Sequence, residues 1–200
     1  MTIMFHEGNR QLQDQFDSRR IADRLEEKLT RQAFTEGDRS LIEALPFFFL
    51  ATSDDRGRAD CSFKGGLPGF VRVTGASELA FPDYDGNGMF KSLGNILVNP
   101  EVGLLFIDMG EKPRRLRVNG RATVLRDDPL MQKFAGAQLL VRVAVRAIFP
   151  NCPRYVTTPG VAEPSKYAPR PGYEPPEPAW KGFDDFKDYV HPRQKTPDGD

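Results

Sequence analysis

Residues Glu78 to Pro100 read ELAFPDYDGNGMFKSLGNILVNP, and their order of elements decides the fold. Glu78 to Phe81 has the apolar, aromatic character of a short strand. Asp83 to Gly88, DYDGNG, is built from residues that tolerate positive φ and make turns. Met89 to Val98 then reads as a short helix closed by Asn99-Pro100, since the residue before proline avoids helical backbone. A calcium loop would need oxygen ligands at its positions 1, 3 and 5, glycine at 6 and a bidentate Glu at 12. Asp83, Asp85, Asn87 and Gly88 meet the first four requirements, but Lys91 stands at position 9 and Gly94 at position 12. The chelate is incomplete. Lys91 and Ser92 fall in the first turn of the helix, where backbone N–H groups, a hydroxyl and an ammonium all offer positive ends to an anion. Met89 and Phe90 separate Gly88 from this pair, so the spacing is not that of a nucleoside-triphosphate loop. On these residues alone two readings stay open, a plain turn and a phosphate cradle.

Outward from this stretch the chain alternates between strand patterns and turn signals. Pro46 to Ser53, PFFFLATS, is apolar and ends in Asp54-Asp55-Arg56-Gly57, after which Ala59 to Lys64 returns as the second strand of a hairpin. Phe70 to Val73 pairs with Glu78 to Phe81 around Gly75-Ala76-Ser77. Val102 to Asp108 reads as a buried strand and Arg114 to Leu125, RRLRVNGRATVL, as a long one. Asp128-Pro129 starts a second helix, with Asp as cap and Pro in the first turn. Leu139 to Phe149 has the clearest period of two: Leu139, Val141, Val143, Val145, Ala147 and Phe149 on one face, Arg142 and Arg146 on the other. Six or seven strands with short connections predict a mainly β (α+β) fold, an antiparallel barrel with peripheral helices.

At the N-terminal side, residues 9 to 28 place Leu12, Phe16, Ile21 and Leu25 at helical intervals among charges, which predicts one amphipathic helix. Beyond Asn151 prolines are too frequent for a packed strand or helix interior. That tail is rich in rings (Tyr155, Tyr167, Tyr173, Trp180, Phe183, Phe186 and Tyr189), which gain from burial. The expected division is a domain over residues 1–150 and an extension over 151–200 that lies on the barrel or on a neighbouring subunit.

The 28 Lys+Arg and 28 Asp+Glu give a formal net charge of zero, so nucleic-acid and anionic-membrane partners are not expected. The start, MTIMFHEGNRQLQDQF, has no basic segment followed by an apolar run, and no window approaches the roughly 20 apolar residues of a bilayer span. A cytoplasmic protein is expected. Cys61 and Cys152 are expected to be reduced, and two thiols with His6 and His191 do not make a metal site.

The run from Phe47 to Val124 resembles the FMN-binding split barrel of the pyridoxamine 5'-phosphate oxidase superfamily. The matching pieces are a hairpin with an SFKGG-like second strand, the Glu78 to Pro100 stretch, VGLLFID, and RLRVNGRATV with its R-x-x-V-x-G pattern from Arg115 to Gly120. The resemblance covers about the middle half of the chain. It implies a homodimer with the flavin at the interface. Ser62, Phe63 and Lys64 would border the ring and ribityl chain, and Phe81 and Pro82 would stand beside the flavin. Asn87, Lys91, Ser92 and Asn95 would take the phosphate, and Arg115 would reach the ring edge.

Departures from the family pattern narrow what the resemblance implies. The oxidase proper has an arginine where this chain has Ala59, and a Tyr/Arg/Ser set where this chain reads DPLMQKFAGAQ. An Arg-Leu-His element near the C-terminus is also missing; AWKGFDDFKDYVHP offers Trp180 and His191 instead. IFPNCPRY, from Ile148 to Tyr155, resembles a branch known only as flavin-binding relatives. The expectation is an FMN-dependent oxidoreductase acting on a small organic substrate other than pyridoxamine phosphate. The alternative is a flavin- or ligand-binding module without turnover, and a deazaflavin is the alternative cofactor. No residue stands out as general acid or base.

Overall fold

The computed structural model describes residues 2, 4–156, 166 and 176–190. They fall into two units, one of Met1–Thr30 with Pro164–Asp200 and one of Arg31–Glu163.

The larger unit carries α3 (Glu36–Ala44), β1 (Phe47–Ser53), β2 (Ala59–Gly65), β3 (Arg72–Gly75), β4 (Glu78–Tyr84), α4 (Lys91–Val98), β5 (Glu101–Asp108), β6 (Arg114–Leu125) and β7 (Ala137–Asn151). All seven strands form one antiparallel sheet in the order β2-β1-β5-β6-β7-β4-β3. The sheet rolls up on itself. In a flat sheet β1 and β4, four places apart in this order, would be separated by about 19 Å at the usual strand spacing. Instead the Phe48 and Phe81 rings lie 4.9 Å apart, and Phe48 also packs on Phe106 at 5.2 Å and Phe70 at 5.9 Å. The strands therefore enclose an apolar interior, with β2 and β3 left as the two edges of a split barrel. Leu50, Leu79, Leu104, Val118, Val141, Val143 and Ile148 fill the rest of it.

The period-two pattern of β7 holds to Val145 and then slips. Asn119 pairs with Ala147 but Gly120 pairs with Val145, so Arg146 is the extra residue of a bulge. The slip turns Ile148, rather than Phe149, into the main core. Gly120 is needed at this point, because a Cβ there would run into the Ala144 carbonyl oxygen. Leu140, on the other face, joins a second cluster with Ala80 and Phe134.

Three elements differ from expectation. The predicted helix at Asp128 is a single 3-10 turn, Pro129–Lys133. Asp128 does cap it, accepting from the Leu130 N–H at 2.8 Å, but Gly136 at φ 80° turns the chain into β7 before a helix can extend. α3 has no counterpart in the predicted elements. Thr35 and Asp38 form a capping box at its start, and Leu41 and Ile42 anchor it in the core. The expected helix over residues 9 to 28 is two helices, α1 (Glu7–Gln15) and α2 (Arg19–Leu29), broken where Asp17 takes a left-handed φ of 46°.

Those two helices belong to the smaller unit, where Arg10 and Asp23 join them at 2.6 Å. Of the C-terminal extension, Asp185, Asp188 and Tyr189 meet α2, whereas the described residues 151–156 belong to the sheet unit. Arg24 donates to the Asp185 carbonyl at 2.9 Å and Arg20 to the Asp188 carbonyl at 3.0 Å, while both guanidinium groups face the Tyr189 ring. Trp180 meets Phe186 edge-on at 5.8 Å. Tyr167, Tyr173 and His191 lie outside the described residues. Among the described residues, no helix is long and apolar enough to cross a membrane.

Candidate functional site

Strand alternation sorts the candidate residues before any distance is measured. Residues directly opposite in an antiparallel pair share a face. Ser62 is opposite Leu50 and Lys64 is opposite Phe48, so both point to the barrel side of β2. Phe63 points the other way. The residue is 62% exposed, and its ring stacks on Phe47 at 5.3 Å, with Phe49 edge-on at 6.0 Å.

α4 meets β2 at this edge. The Ser62 and Ser92 hydroxyl oxygens are 2.9 Å apart, and Ser92 is buried at the foot of the helix. Asn95, one turn further on, is also buried and donates to the Thr52 hydroxyl at 3.0 Å, which fixes α4 against β1. Asn99 donates to the Ser53 hydroxyl at 2.8 Å and completes the attachment.

The start of α4 is built unusually. Asn87 accepts from the Met89 N–H at 3.0 Å, Gly88 takes φ 73°, and Phe90, the residue at the cap position, takes a left-handed φ of 46°. No side chain caps the helix, so the first-turn N–H groups have no side-chain acceptor. Lys91 is exposed beside them and forms no salt bridge among the described residues. Its charge acts at longer range on Asp54. That carboxyl is held below the usual range, first by the Arg58 backbone N–H and also by the Arg56 N–H and the Arg58 and Lys91 charges.

The remaining candidates lie elsewhere. Phe81 is in the core against Phe48, and Pro82 is buried opposite Leu140 of β7. Arg115 sits near the start of β6, opposite Asn151, and donates to the Cys152 carbonyl. Its neighbour Leu116 points into the core, so Arg115 shares the outer face with Phe63 rather than the barrel side with Ser62. The Arg115 Nε and the Asn151 Oδ1 are both buried without a hydrogen-bond partner.

The structure thus gathers Ser62, Lys91, Ser92 and Asn95 at one place with Lys64 close by, and separates Phe63 and Arg115 from them. Thr52, bonded to Asn95, belongs to the same neighbourhood, and Asp83 is acted on by the Lys64 charge; neither is among the predicted site residues. Thr52 is an ordinary strand residue until Asn95 is placed beside it. Asp83 is noticed in the sequence only as a position of an incomplete calcium loop. Among the described residues, no group of three or more His, Cys, Asp or Glu could hold a metal ion.

A model of the pyridoxamine 5'-phosphate oxidase family matches residues 34–156. No curated protein matches the chain. Similar solved structures include HupZ of Group A Streptococcus, 18% identical, covering 58% of this chain and 93% of that one with a TM-score of 0.47. An FMN-binding protein from Syntrophomonas wolfei is 12% identical, covering 73% and 96% of the two chains with a TM-score of 0.46. A FAD-binding protein from Mesorhizobium loti is 14% identical, covering 62% and 99% with a TM-score of 0.43.

Proposed function

This chain belongs to the pyridoxamine 5'-phosphate oxidase family, and from that premise we propose that it binds FMN and passes hydride or electrons between the flavin and a small organic substrate. The observation that carries the reading is the open start of α4: uncapped first-turn donors beside the exposed Lys91 ammonium and the paired hydroxyls of Ser62 and Ser92. Together they offer a phosphate several positive ends at once.

The residues suit the group. Lys91, Ser92 and Ser62 would hold the phosphate, with Asn95 keeping the helix in place through Thr52. Arg115, on the outer face with its Nε buried, stands apart from this cradle and is not assigned to a ligand held there. Bound there, the flavin would supply the electron-transfer chemistry. The chain's own contribution is position, charge and exclusion of water.

A homodimer is part of the proposal. Phe47, Phe49 and Phe63 form an aromatic group on the outer face of β1 and β2, and a second copy covering it would remove that surface from water.

The test is reconstitution. Purified protein should show the visible absorbance of a flavin, release a chromophore of FMN mass, and gain thermal stability on adding FMN. A deazaflavin would differ in mass. No bound flavin and no thermal shift would end this reading. Reduction by NADH or NADPH, then reoxidation by a tested acceptor, separates an oxidoreductase from a flavin-binding module without turnover.

A further inference from the structure

Asp83 is the first residue of the DYDGNG loop and the last regularly paired residue of β4. It lies two positions after Phe81, so it shares the barrel side with that ring. Lys64 lies opposite Phe48 on the same side of β2. Since the Phe48 and Phe81 rings touch, at 4.9 Å, Asp83 and Lys64 stand on facing walls of the split. Ser62, two residues from Lys64 on one strand face, is about 7 Å along the same wall, and it bonds Ser92 of the cradle.

Among the described residues Asp83 forms no salt bridge, and the cation that acts on it, at longer range, is Lys64. From β7 it faces Leu139, and the neighbouring Gln138 donates to Asp85 instead. The charged residue of β3, Arg72, pairs with Glu43, and Lys91 of α4 acts on Asp54. Tyr84 and Asp85 are the titratable groups next to it on its own segment. Half-burial pushes the Asp83 carboxyl up from its ordinary value, and the Lys64 charge pulls it back only in part.

We propose that Asp83 is the counterion of Lys64 in the ligand-free protein and takes up a proton when the phosphate of an anionic ligand docks on the neighbouring cradle. This rests on the FMN reading above. A phosphate at Ser62, Lys91 and Ser92 brings added negative charge beside Asp83 and competes with it for Lys64. A half-buried carboxylate that loses its counterion is stabilised by protonation. A ligand that raises the pKa of a group binds more tightly where that group is protonated. FMN affinity is therefore highest below the ligand-free pKa of Asp83, falls as pH rises through the interval up to the ligand-bound value, and levels off above it.

The experiment is titration calorimetry of FMN into the full chain in two buffers of different ionisation enthalpy, between about pH 5 and about pH 8. The phosphate itself titrates near about pH 6, and Asp83→Asn subtracts that contribution. The expected result is proton uptake by the wild type in excess of Asp83→Asn, with wild-type affinity falling about tenfold more across the range. Lys64→Met should also lower the excess, because Asp83 then binds its proton before the ligand arrives. Wild-type FMN binding with no excess uptake over Asp83→Asn overturns the inference and leaves the FMN reading intact. Absence of any binding heat in the wild type overturns both. A ligand-free readout checks the same pair: because folding raises the Asp83 pKa, its ionised form lowers stability at neutral pH. Asp83→Asn should raise Tm there, by a margin that closes as pH falls through the Asp83 value.

Discussion

The two helices of the sheet unit begin in opposite ways. At α3 every available partner is internal: Thr35 Oγ1 accepts from the Asp38 N–H at 3.1 Å, and Asp38 Oδ2 accepts from the Thr35 N–H at 2.9 Å and its hydroxyl at 2.8 Å. The Arg31 guanidinium adds a bond at 2.8 Å to each Asp38 oxygen, and the Arg31 backbone is joined to Ile148 in both directions. At α4 the cap position is a left-handed Phe90, no side chain caps the helix, the Ser92 hydroxyl is bonded to Ser62, and Lys91 forms no salt bridge among the described residues. The contrast separates two uses of the same backbone donors. One helix start closes a structural joint, and the other is left without a side-chain cap, which is what the proposed phosphate site requires.

That contrast sets the expected effects of substitution. Asp38→Ala removes a cap and an acceptor that the half-buried Arg31 guanidinium bonds through both oxygens, and should lower unfolding free energy by about 3 kcal/mol. Denaturant titration would measure it, and FMN affinity per folded molecule should not change. Lys91→Met should do the reverse: about thirtyfold weaker FMN binding, about 2 kcal/mol, with the denaturation midpoint of the ligand-free protein almost unmoved. If Lys91→Met unfolds the protein instead, the two helix starts are not different in kind. Thr35→Ala, which removes only one side of the capping box, should lower stability by about 1 kcal/mol. Phe90→Gly sharpens the comparison at the smallest scale. It releases the left-handed conformation at the cap and should stabilise the ligand-free protein by about 0.5 kcal/mol, read as a rise in Tm.

The sequence made the strands legible because each carries its own turn signals, and the hairpin Phe47–Ser53 with Ala59–Gly65 is found where PFFFLATS and DDRG place it. What was not legible depends on partners far along the chain. The β7 slip at Arg146 arises from Gly120 on another strand. The break after α1 left one trace, the five-residue gap between Phe16 and Ile21. α3 was missed because its apolar stripe is thin; the signal that marks it is the cap pattern Thr35-Glu36-Gly37-Asp38 before Leu41 and Ile42. At the candidate site, the place of Lys91 and Ser92 in the first turn of a helix could be read from the sequence. The pairing of Ser62 with Ser92 and of Asn95 with Thr52 could not, since each joins residues 30 or more apart.

The barrel is closed at Phe48 and Phe81 by rings and not by a backbone ladder, since β2 and β3 remain the ends of the sheet. Such a seam can part without breaking a single interstrand hydrogen bond. Small opening fluctuations there would leave amide protons in β5, β6 and β7 protected from exchange while briefly wetting the aromatic interior. The molecule can therefore breathe along one line, beside Ser62 and Lys64, without approaching the unfolded state.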